Sequence, residues 1–375
     1  MIASLLAHAV ARNHHWWMNN LSLIRAMSPS RTSTNVNGEI LSFSVGDFRD
    51  KICIGNDCFI CGRTRSETTF NDEHIVPDWV LSRFKVHQKR LRLPNGYKRQ
   101  YSKYKIPCCQ NCNSKMSSYF EMPISRLFAA GSPEALQNFI LAGNGLLFYQ
   151  WMSLIFLKIH LKDSHFRMFP DRRKGDFPIS ADYLWSEMHH LHAVARAFYV
   201  PSVIEAKAVG SLYVFPVRPE GVSDDFDLLT LTEGQTLYLR LGCTGVIAVF
   251  NDACASINRV QWIIDKIDGP LSWLQARELT AHFAMANIDL INRPVFWTRI
   301  EMNEKIAICG STDDVPLFAD FDRSRLGELM ELALPSLPEI NGYSKAEADQ
   351  LRRSGNMSFL FNECGQFIRN HGIQN

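Results

Sequence analysis

The sequence predicts an α+β protein in which a small metal-binding module precedes a larger region of helices and antiparallel strands. Helical periodicity dominates from about residue 113 to residue 200. Beyond residue 203, short alternating runs are separated by turn residues, which is typical of antiparallel strands. Helices and strands in separate stretches are typical of the α+β class. The module is marked by two Cys-x-x-Cys pairs, which are Cys58 with Cys61 and Cys109 with Cys112.

We divide the chain into three parts. Residues 1–37 are predicted to form a short helix and a small polar linker. Residues 38–128 are predicted to form the metal-binding module. Residues 129–375 are predicted to form an α+β region of unassigned role, helical over 129–200 and mixed over 201–375.

The composition is that of an ordinary globular protein. Of the 375 residues, 46% are hydrophobic and 21% are charged, and the net charge is +2. The most apolar segment, residues 146–159, is too short to span a bilayer and carries Gln150 and Lys158, so we expect a buried helix. The start of the chain has no basic leader, so no signal peptide is predicted. Metal-binding spacing and scattered further cysteines favour a reducing, cytoplasmic location.

The four paired cysteines are expected to bind one zinc ion. Two thiolates with two residues between them can occupy two coordination positions of a tetrahedral ion, and the second pair completes the four-ligand shell. The interval between the pairs is longer than in common zinc ribbons, so further structure is expected inside it. Cys108 could compete with Cys109, but only Cys109 has the required spacing to Cys112.

The interval between the pairs contains Glu73 and His74, followed by Pro77. The pattern predicts a short extended segment that ends at the proline and leads into a helix. Phosphodiester hydrolysis needs a water molecule, a base and a cation that stabilises the developing charge. A neutral imidazole suits the base near pH 7, and a carboxylate suits a hard divalent ion. Neighbouring strand residues point to opposite faces, so convergence of this pair requires the strand to end there.

A basic segment, residues 83–105, contains nine Lys and Arg residues and no Asp or Glu. Asn95-Gly96 between two short alternating runs predicts a hairpin. Interleaved tyrosines and the adjacent metal module favour contact with nucleic-acid phosphates over a merely solvated hairpin. The expected partner is double-stranded DNA. The residues predicted to contact it are Lys98, Arg99, Lys103, Lys105 and Lys115.

Periodicity and turn residues predict the remaining elements. Residues 40–45 and 51–54 are expected to be short strands, and residues 113–128 a helix. Residues 262–267 fit either a strand or a helix. Further helices are predicted over 146–161, 181–199, 270–290, 323–334 and 344–353, and further strands over 211–217, 227–231, 235–241, 245–250 and the hairpin 294–309.

Residues 58–121 resemble an HNH endonuclease of the ββα-metal nuclease family, in its zinc-knuckle bacterial subgroup. The resemblance rests on Glu73-His74-x-x-Pro77 between the cysteine pairs and on Asn113 directly after the last cysteine. It implies an N-terminal ββα-metal fold and hydrolysis of DNA, with His74 as general base. It also implies that Glu73 and Asn113 hold Mg²⁺ or Mn²⁺, with Glu121 as a further ligand, while the cysteine-bound zinc is structural.

The family pattern has an asparagine a few residues before the second cysteine pair. This sequence has none at that position, and Asn95 is the alternative. A second function remains open, in which the zinc module binds nucleic acid without catalysis. The joint presence of Glu73, His74 and Asn113 favours the nuclease. Resemblance to stand-alone bacterial HNH proteins implies defence against phage or other foreign DNA. Residues 129–375 would then recognise a protein partner or a signal ligand.

Overall fold

The computed structural model describes residues 31–369, except 131–132, 220–224, 302, 336 and 338–343. The helix predicted near the N-terminus lies outside the described residues. Within the described part, helices predominate from Gln110 to Ala195, five strands follow between Ser202 and Val249, and most strand pairs are antiparallel. This confirms the α+β class.

The metal-binding module is built from three small antiparallel strand pairs and three short helices. In chain order they are β1 (Ser33–Thr34), β2 (Ile40–Ser42), α1 (Val45–Asp47), β3 (Phe70–His74), α2 (Asp78–Arg83), β4 (Arg90–Arg92), β5 (Lys98–Gln100), β6 (Lys105–Cys109) and α3 (Gln110–Met116). Strand β1 pairs with β2, β3 with β6, and β4 with β5. The β4–β5 hairpin turns at Asn95-Gly96, as predicted, and Gly96 has a φ of 84°. Strands β3 and β6 with helix α3 therefore form a strand–strand–helix unit.

A helical layer follows the module. Its helices are α4 (Met122–Ala130), α5 (Pro133–Phe139), α6 (Gly145–Asp163) and α7 (Trp185–Ala195). Helix α6 is buried along nearly its whole length, as expected for residues 146–159. Within the described part of the chain, the helical run Glu134–Asp163 is long and apolar enough to cross a membrane by length and composition. Its α6 portion packs inside the protein instead.

The rest of the chain forms two sheets and their covering helices. In order they are β7 (Ser202–Ile204), β8 (Leu212–Pro216), β9 (Phe226–Leu231), β10 (Thr236–Leu241), β11 (Thr244–Val249), α8 (Ala255–Ile264), α9 (Trp273–Asp289), β12 (Val295–Ile300), β13 (Ile306–Ser311), α10 (Arg323–Ala333) and α11 (Lys345–Arg353). One antiparallel sheet has the order β8-β11-β10-β9 and packs against α9. The other has the order β12-β13-β7, in which β7 runs parallel to β13.

One hydrophobic core crosses the boundary drawn at residue 128. It joins Phe48 and Phe120 of the N-terminal part with Phe148 and Leu191 of the helical layer and with Val246 of the larger sheet. Side chains from α6 and α7 therefore reach the strands and loops of the metal-binding module.

Two local predictions differ from the structure. Residues 51–54, expected to be a strand, belong mostly to a helical stretch, Phe48–Cys53, that continues α1. Phe48 and Ile52 lie four residues apart and bury the same helical face, while Ser44 caps the start. Within the expected linker, β1 pairs with β2, so that part of the chain is ordered as a hairpin. Residues 262–267, whose sequence fits either a strand or a helix, are helical up to Ile264.

Candidate metal centre and candidate active site

The four paired cysteines converge on one point. Each Sγ lies within 4.8 Å of the other three, and all four side chains are buried. Sulfur atoms around a tetrahedral zinc ion lie about 3.8 Å apart, because Zn–S bonds are about 2.3 Å long. The Sγ atoms of Cys61 and Cys109 are 3.6 Å apart, which fits such a shell. These residues are positioned to hold one metal ion.

The backbone around each pair explains this convergence. Gly62 turns the chain after the first pair with a φ of 74°, and its amide donates to the carbonyl of Cys58 at 2.8 Å. The amide of Cys58 donates in turn to the carbonyl of Arg63 at 2.9 Å. Cys109 ends β6 and caps α3, where its Sγ accepts the amide of Cys112 at 3.4 Å. The tight turn at Gly62 and the cap of α3 at Cys109 thus bring the two cysteine pairs together.

Cys108 lies beside this cluster without belonging to it. Its Sγ is 3.8 Å from that of Cys58, but the set of mutually close thiols contains Cys109 instead. The hydrogen bond with Cys58 and burial raise the pKa of the Cys108 thiol, which favours its neutral form. The spacing argument from the sequence therefore selected the right cysteine.

Helix α7 and its C-terminal cap hold the loop of the first cysteine pair. His192 Nε2 donates to the carbonyl of Phe59 at 2.7 Å, and Arg196 Nε donates to the carbonyl of Ile60 at 3.0 Å. Burial lowers the pKa of His192 well below its usual value, so its imidazole is neutral. Burial lowers the pKa of Arg196 to about 10, so its guanidinium remains charged at neutral pH. His189 and His190 of the same helix likewise donate to the carbonyls of Phe43 and Ala208, so the three histidines of α7 are packing residues.

The ladder between β3 and β6 includes both Glu73 and His74, which pair with Ile106 and Lys105. Their side chains therefore leave the strand on opposite faces, so the two side chains do not converge as the strand-end argument from the sequence required. Glu73 points into the protein and is 7% exposed. Lys158 of α6 donates through Nζ to Glu73 Oε1 at 2.8 Å and to the carbonyl of His74 at 2.8 Å. One buried ammonium group thus joins the carboxylate to the backbone of the neighbouring histidine.

His74 lies on the other face, close to the start of α2. Its Nε2 is 3.9 Å from Asp78 Oδ1, which is 3.1 Å from His87 Nε2. Burial, reinforced by the positive charge of Lys105, lowers the pKa of His74 and keeps the imidazole neutral near pH 7. A neutral imidazole beside a carboxylate can accept a proton from water and be stabilised once charged. Sequence patterns selected His74 but missed Asp78 and His87, whose role depends on where the loop folds.

Glu121 lies where the chain passes from α3 towards α4. Burial raises the pKa of Glu121 to about 7, the positive charge of Lys158 opposes that rise, and the negative charges of Glu73 and Asp78 add to it. Glu121 is therefore within electrostatic reach of Glu73 and of the lysine. The resemblance selected Glu121, but the sequence gave no signal that Lys158 would lie near it.

Asn113 is brought towards the Glu73 face of the sheet. Its Nδ2 donates to Asn71 Oδ1 at 3.1 Å, and Asn71 lies two residues from Glu73 on β3, hence on the same face. Asn95 is engaged elsewhere. Its Nδ2 donates to the carbonyl of Arg167 at 2.8 Å, and its Oδ1 accepts a backbone amide inside the hairpin turn. The structure therefore uses Asn95 as a turn residue.

The predicted nucleic-acid contacts differ in exposure. Lys105 is half-buried and lies opposite His74 in the ladder. Arg99 extends over the ring of Phe166, with Cζ 5.0 Å from the ring centre. The exposed members of the set are Lys98, Arg99, Lys103 and Lys115. Lys115 lies apart from the hairpin, on α3, with its Nζ 4.6 Å from the centre of the Tyr199 ring.

The oxygen donors near Glu73 suit a hard divalent cation. Carboxylate and amide oxygens, such as those of Glu73, Glu121 and Asn113, are the type of ligand that Mg²⁺ and Mn²⁺ prefer. Lys158 already neutralises one oxygen of Glu73. A divalent ion at this carboxylate would bind in competition with the ammonium group.

Replacing Lys158 by methionine is expected to lower the free energy of unfolding by about 3–5 kcal/mol, because Glu73 would be left buried without a counter-charge. Denaturant unfolding followed by circular dichroism measures this loss. The double variant Glu73→Gln with Lys158→Met should recover most of it, because both charges are removed. Lys162→Met, one turn along α6 where the side chain packs on Phe166, is the matched control. Equal stability of wild type and Lys158→Met would contradict the prediction.

No family model matches the chain, and neither a curated protein nor a solved structure matches it. The function is therefore inferred from the residues and geometry of the site itself.

Proposed function

We propose that this chain is a metal-dependent endonuclease that hydrolyses phosphodiester bonds of DNA. The observation that carries the proposal is the unit formed by β3, β6 and α3. His74 lies at the end of its first strand, and the cysteine cluster lies where its second strand meets the helix. This order of strand, strand and helix is the one that the resemblance to ββα-metal nucleases requires.

Zinc is the metal that we propose for the cysteine cluster. Four buried thiols within 4.8 Å of one another suit a structural Zn²⁺, which takes four ligands in a tetrahedron and keeps no open coordination position. Such an ion would fix the start of α3 against the loop that carries Cys58. It would thereby hold Asn113 against β3 while taking no part in the chemistry.

His74 is the general base in this proposal. Its neutral imidazole takes a proton from water as the water oxygen bonds to phosphorus and the bond to the leaving 3′ oxygen breaks. The carboxylate of Asp78, 3.9 Å from Nε2, stabilises the imidazolium that forms. Lys105, directly across the ladder, provides positive charge for an incoming phosphate.

A divalent ion, Mg²⁺ or Mn²⁺, supplies the positive charge that stabilises the leaving oxygen when bound. Glu73 and Asn113 are the proposed ligands, with Glu121 as a further carboxylate. Lys158 keeps the Glu73 carboxylate oriented towards the interior of the unit. The strength of metal binding then depends on the balance between these carboxylates and the lysine.

The exposed basic hairpin is proposed to lie along the DNA backbone. Replacing Lys98 and Arg99 by alanine should weaken binding to all DNA sequences similarly, because phosphate contacts carry no base information. The slope of log affinity against log salt should become less steep by about two, since roughly one counterion is released per neutralised phosphate. Fluorescence anisotropy at several salt concentrations measures the slope. Lys51→Ala, on the exposed side of the helical stretch Phe48–Cys53, is a control, and an unchanged slope in the double variant would refute the contact.

The alternative function is nucleic-acid binding without hydrolysis. Both functions require DNA binding, but only the endonuclease requires His74 and a divalent ion. Binding and strand cleavage should therefore be measured on the same purified protein and substrate. Tight binding by wild type with no cleavage under any divalent ion would favour the alternative. Cleavage that EDTA abolishes and that added Mg²⁺ or Mn²⁺ restores would support the endonuclease.

A further inference from the structure

Arg196 is a buried cation whose hydrogen bonds all go to backbone carbonyls. It is 3% exposed. Besides the bond to Ile60, its Nη1 donates to the carbonyl of Leu41 at 2.7 Å and its Nη2 to that of Ile40 at 2.6 Å. The guanidinium also lies over the ring of Phe43 at 5.0 Å. These contacts use three of the five N–H donors of the guanidinium but bring no negative charge.

No carboxylate forms an ion pair with Arg196 among the described residues. A buried cation of this kind is costly unless an anion lies nearby, because its hydration is lost. Its bond to Ile60 places it beside the loop between Cys58 and Cys61. Four thiolates around a divalent ion carry a net charge of about −2, which is the missing anion.

We propose that Arg196 is the counter-ion of the tetrathiolate metal centre and that, with His192, it positions the loop of the first cysteine pair. The two residues hold consecutive carbonyls of that loop, those of Phe59 and Ile60. His192 does so as a neutral donor, and Arg196 does so as a cation. The metal centre is therefore completed from outside the N-terminal module, by α7 and its cap.

This assignment separates two contributions that can be tested independently. Loss of the His192 bond removes a hydrogen bond but no charge. Loss of Arg196 removes three hydrogen bonds and the counter-charge together. Groups that surround metal ligands typically change metal affinity by about 10–100-fold when they are replaced. The larger end of that range is expected for Arg196 and the smaller end for His192.

The test follows zinc release from the full-length, zinc-loaded protein to a coloured chelator in excess. We expect Arg196→Met to release zinc about 100-fold faster than wild type, the larger end of that range. His192→Phe, which keeps a ring on Phe48 but removes the donor, should give a smaller increase. Arg196→Lys should lie between wild type and Arg196→Met, since lysine keeps the charge but cannot reach three carbonyls in one plane.

The matched control is Arg240→Met. Arg240 is as deeply buried and also donates to backbone carbonyls, but it lies on β10 and pairs with Asp225. The Arg240→Met variant should have a lower free energy of unfolding than wild type. Below its unfolding transition, it should release zinc no faster than wild type. Equal release rates for wild type, Arg196→Lys and His192→Phe would overturn the proposal, and these milder variants keep the test valid if Arg196→Met fails to fold. Release from Arg240→Met as fast as from Arg196→Met would overturn it as well.

Discussion

Replacement of His74 by alanine is expected to lower the rate of DNA cleavage by about 10²–10⁴-fold, the usual contribution of a positioned general base. The imidazole is neutral because burial and Lys105 lower its pKa, so it is ready to accept a proton at pH 7. Its side chain is only partly buried, so its loss should leave the fold and the cysteine-bound metal unchanged. Single-turnover cleavage of a labelled duplex at saturating protein measures the effect.

The metal dependence distinguishes this role from a role in ion binding. His74→Ala should keep the wild-type dependence on Mg²⁺ concentration and should not be rescued by excess metal. Glu73→Gln, which still accepts a hydrogen bond from Lys158, should need more Mg²⁺, and excess metal should partly restore cleavage. Asn113→Ala should behave similarly but more mildly, because a neutral amide holds a dication less strongly. In wild type, the rate should fall as the pH drops and His74 becomes protonated, and this acid limb should be lost in His74→Ala. Metal rescue of His74→Ala would contradict the assignment.

Replacement of Cys112 by serine is expected to cause both loss of the bound metal and a large loss of stability. A structural zinc site contributes its binding free energy to folding, about 10–16 kcal/mol in isolated zinc modules, which is comparable to the whole stability of a domain. Here the cysteines lie within the core that joins the module to α6 and α7, so the loss should spread beyond the module. Thermal unfolding and elemental analysis of the same sample measure the two effects.

Cys364→Ser is the control for this variant, because Cys364 is exposed and distant in sequence from the cluster. It should keep one zinc per chain and the wild-type unfolding temperature. A well-folded wild-type protein that contains no zinc would refute the proposed centre, as would a Cys112→Ser variant with unchanged stability and metal content.

Short-range patterns predicted much of the fold. The Cys-x-x-Cys spacing selected the four cysteines that converge, and Asn95-Gly96 marked the hairpin between β4 and β5. Alternating runs beyond residue 203 located the strands of the larger sheet. These features depend on a few neighbouring residues, so a single sequence contains the information. The strand predicted over residues 51–54 is wrong, because a short apolar run fits a strand or a helix until tertiary contacts decide.

The partners of the candidate site could not be predicted in the same way. Lys158 lies in the middle of an apolar helix, and its meeting with Glu73 depends on how α6 packs across the module. Arg196 reaches the first cysteine loop from a helix far along the chain. Asp78 follows His74 closely in sequence, but its distance to the imidazole depends on the turn before α2. Long-range packing of this kind leaves no local pattern.

The central claim is that His74 and a divalent ion together hydrolyse DNA. The most direct measurement is conversion of supercoiled plasmid to nicked or linear DNA by purified full-length protein, with Mg²⁺ or with EDTA, for wild type and for His74→Ala. The proposed function predicts cleavage by wild type with Mg²⁺, none with EDTA, and strongly reduced cleavage by His74→Ala with Mg²⁺. Equal cleavage by wild type and by His74→Ala, or no cleavage by zinc-loaded wild type with either Mg²⁺ or Mn²⁺, would contradict it.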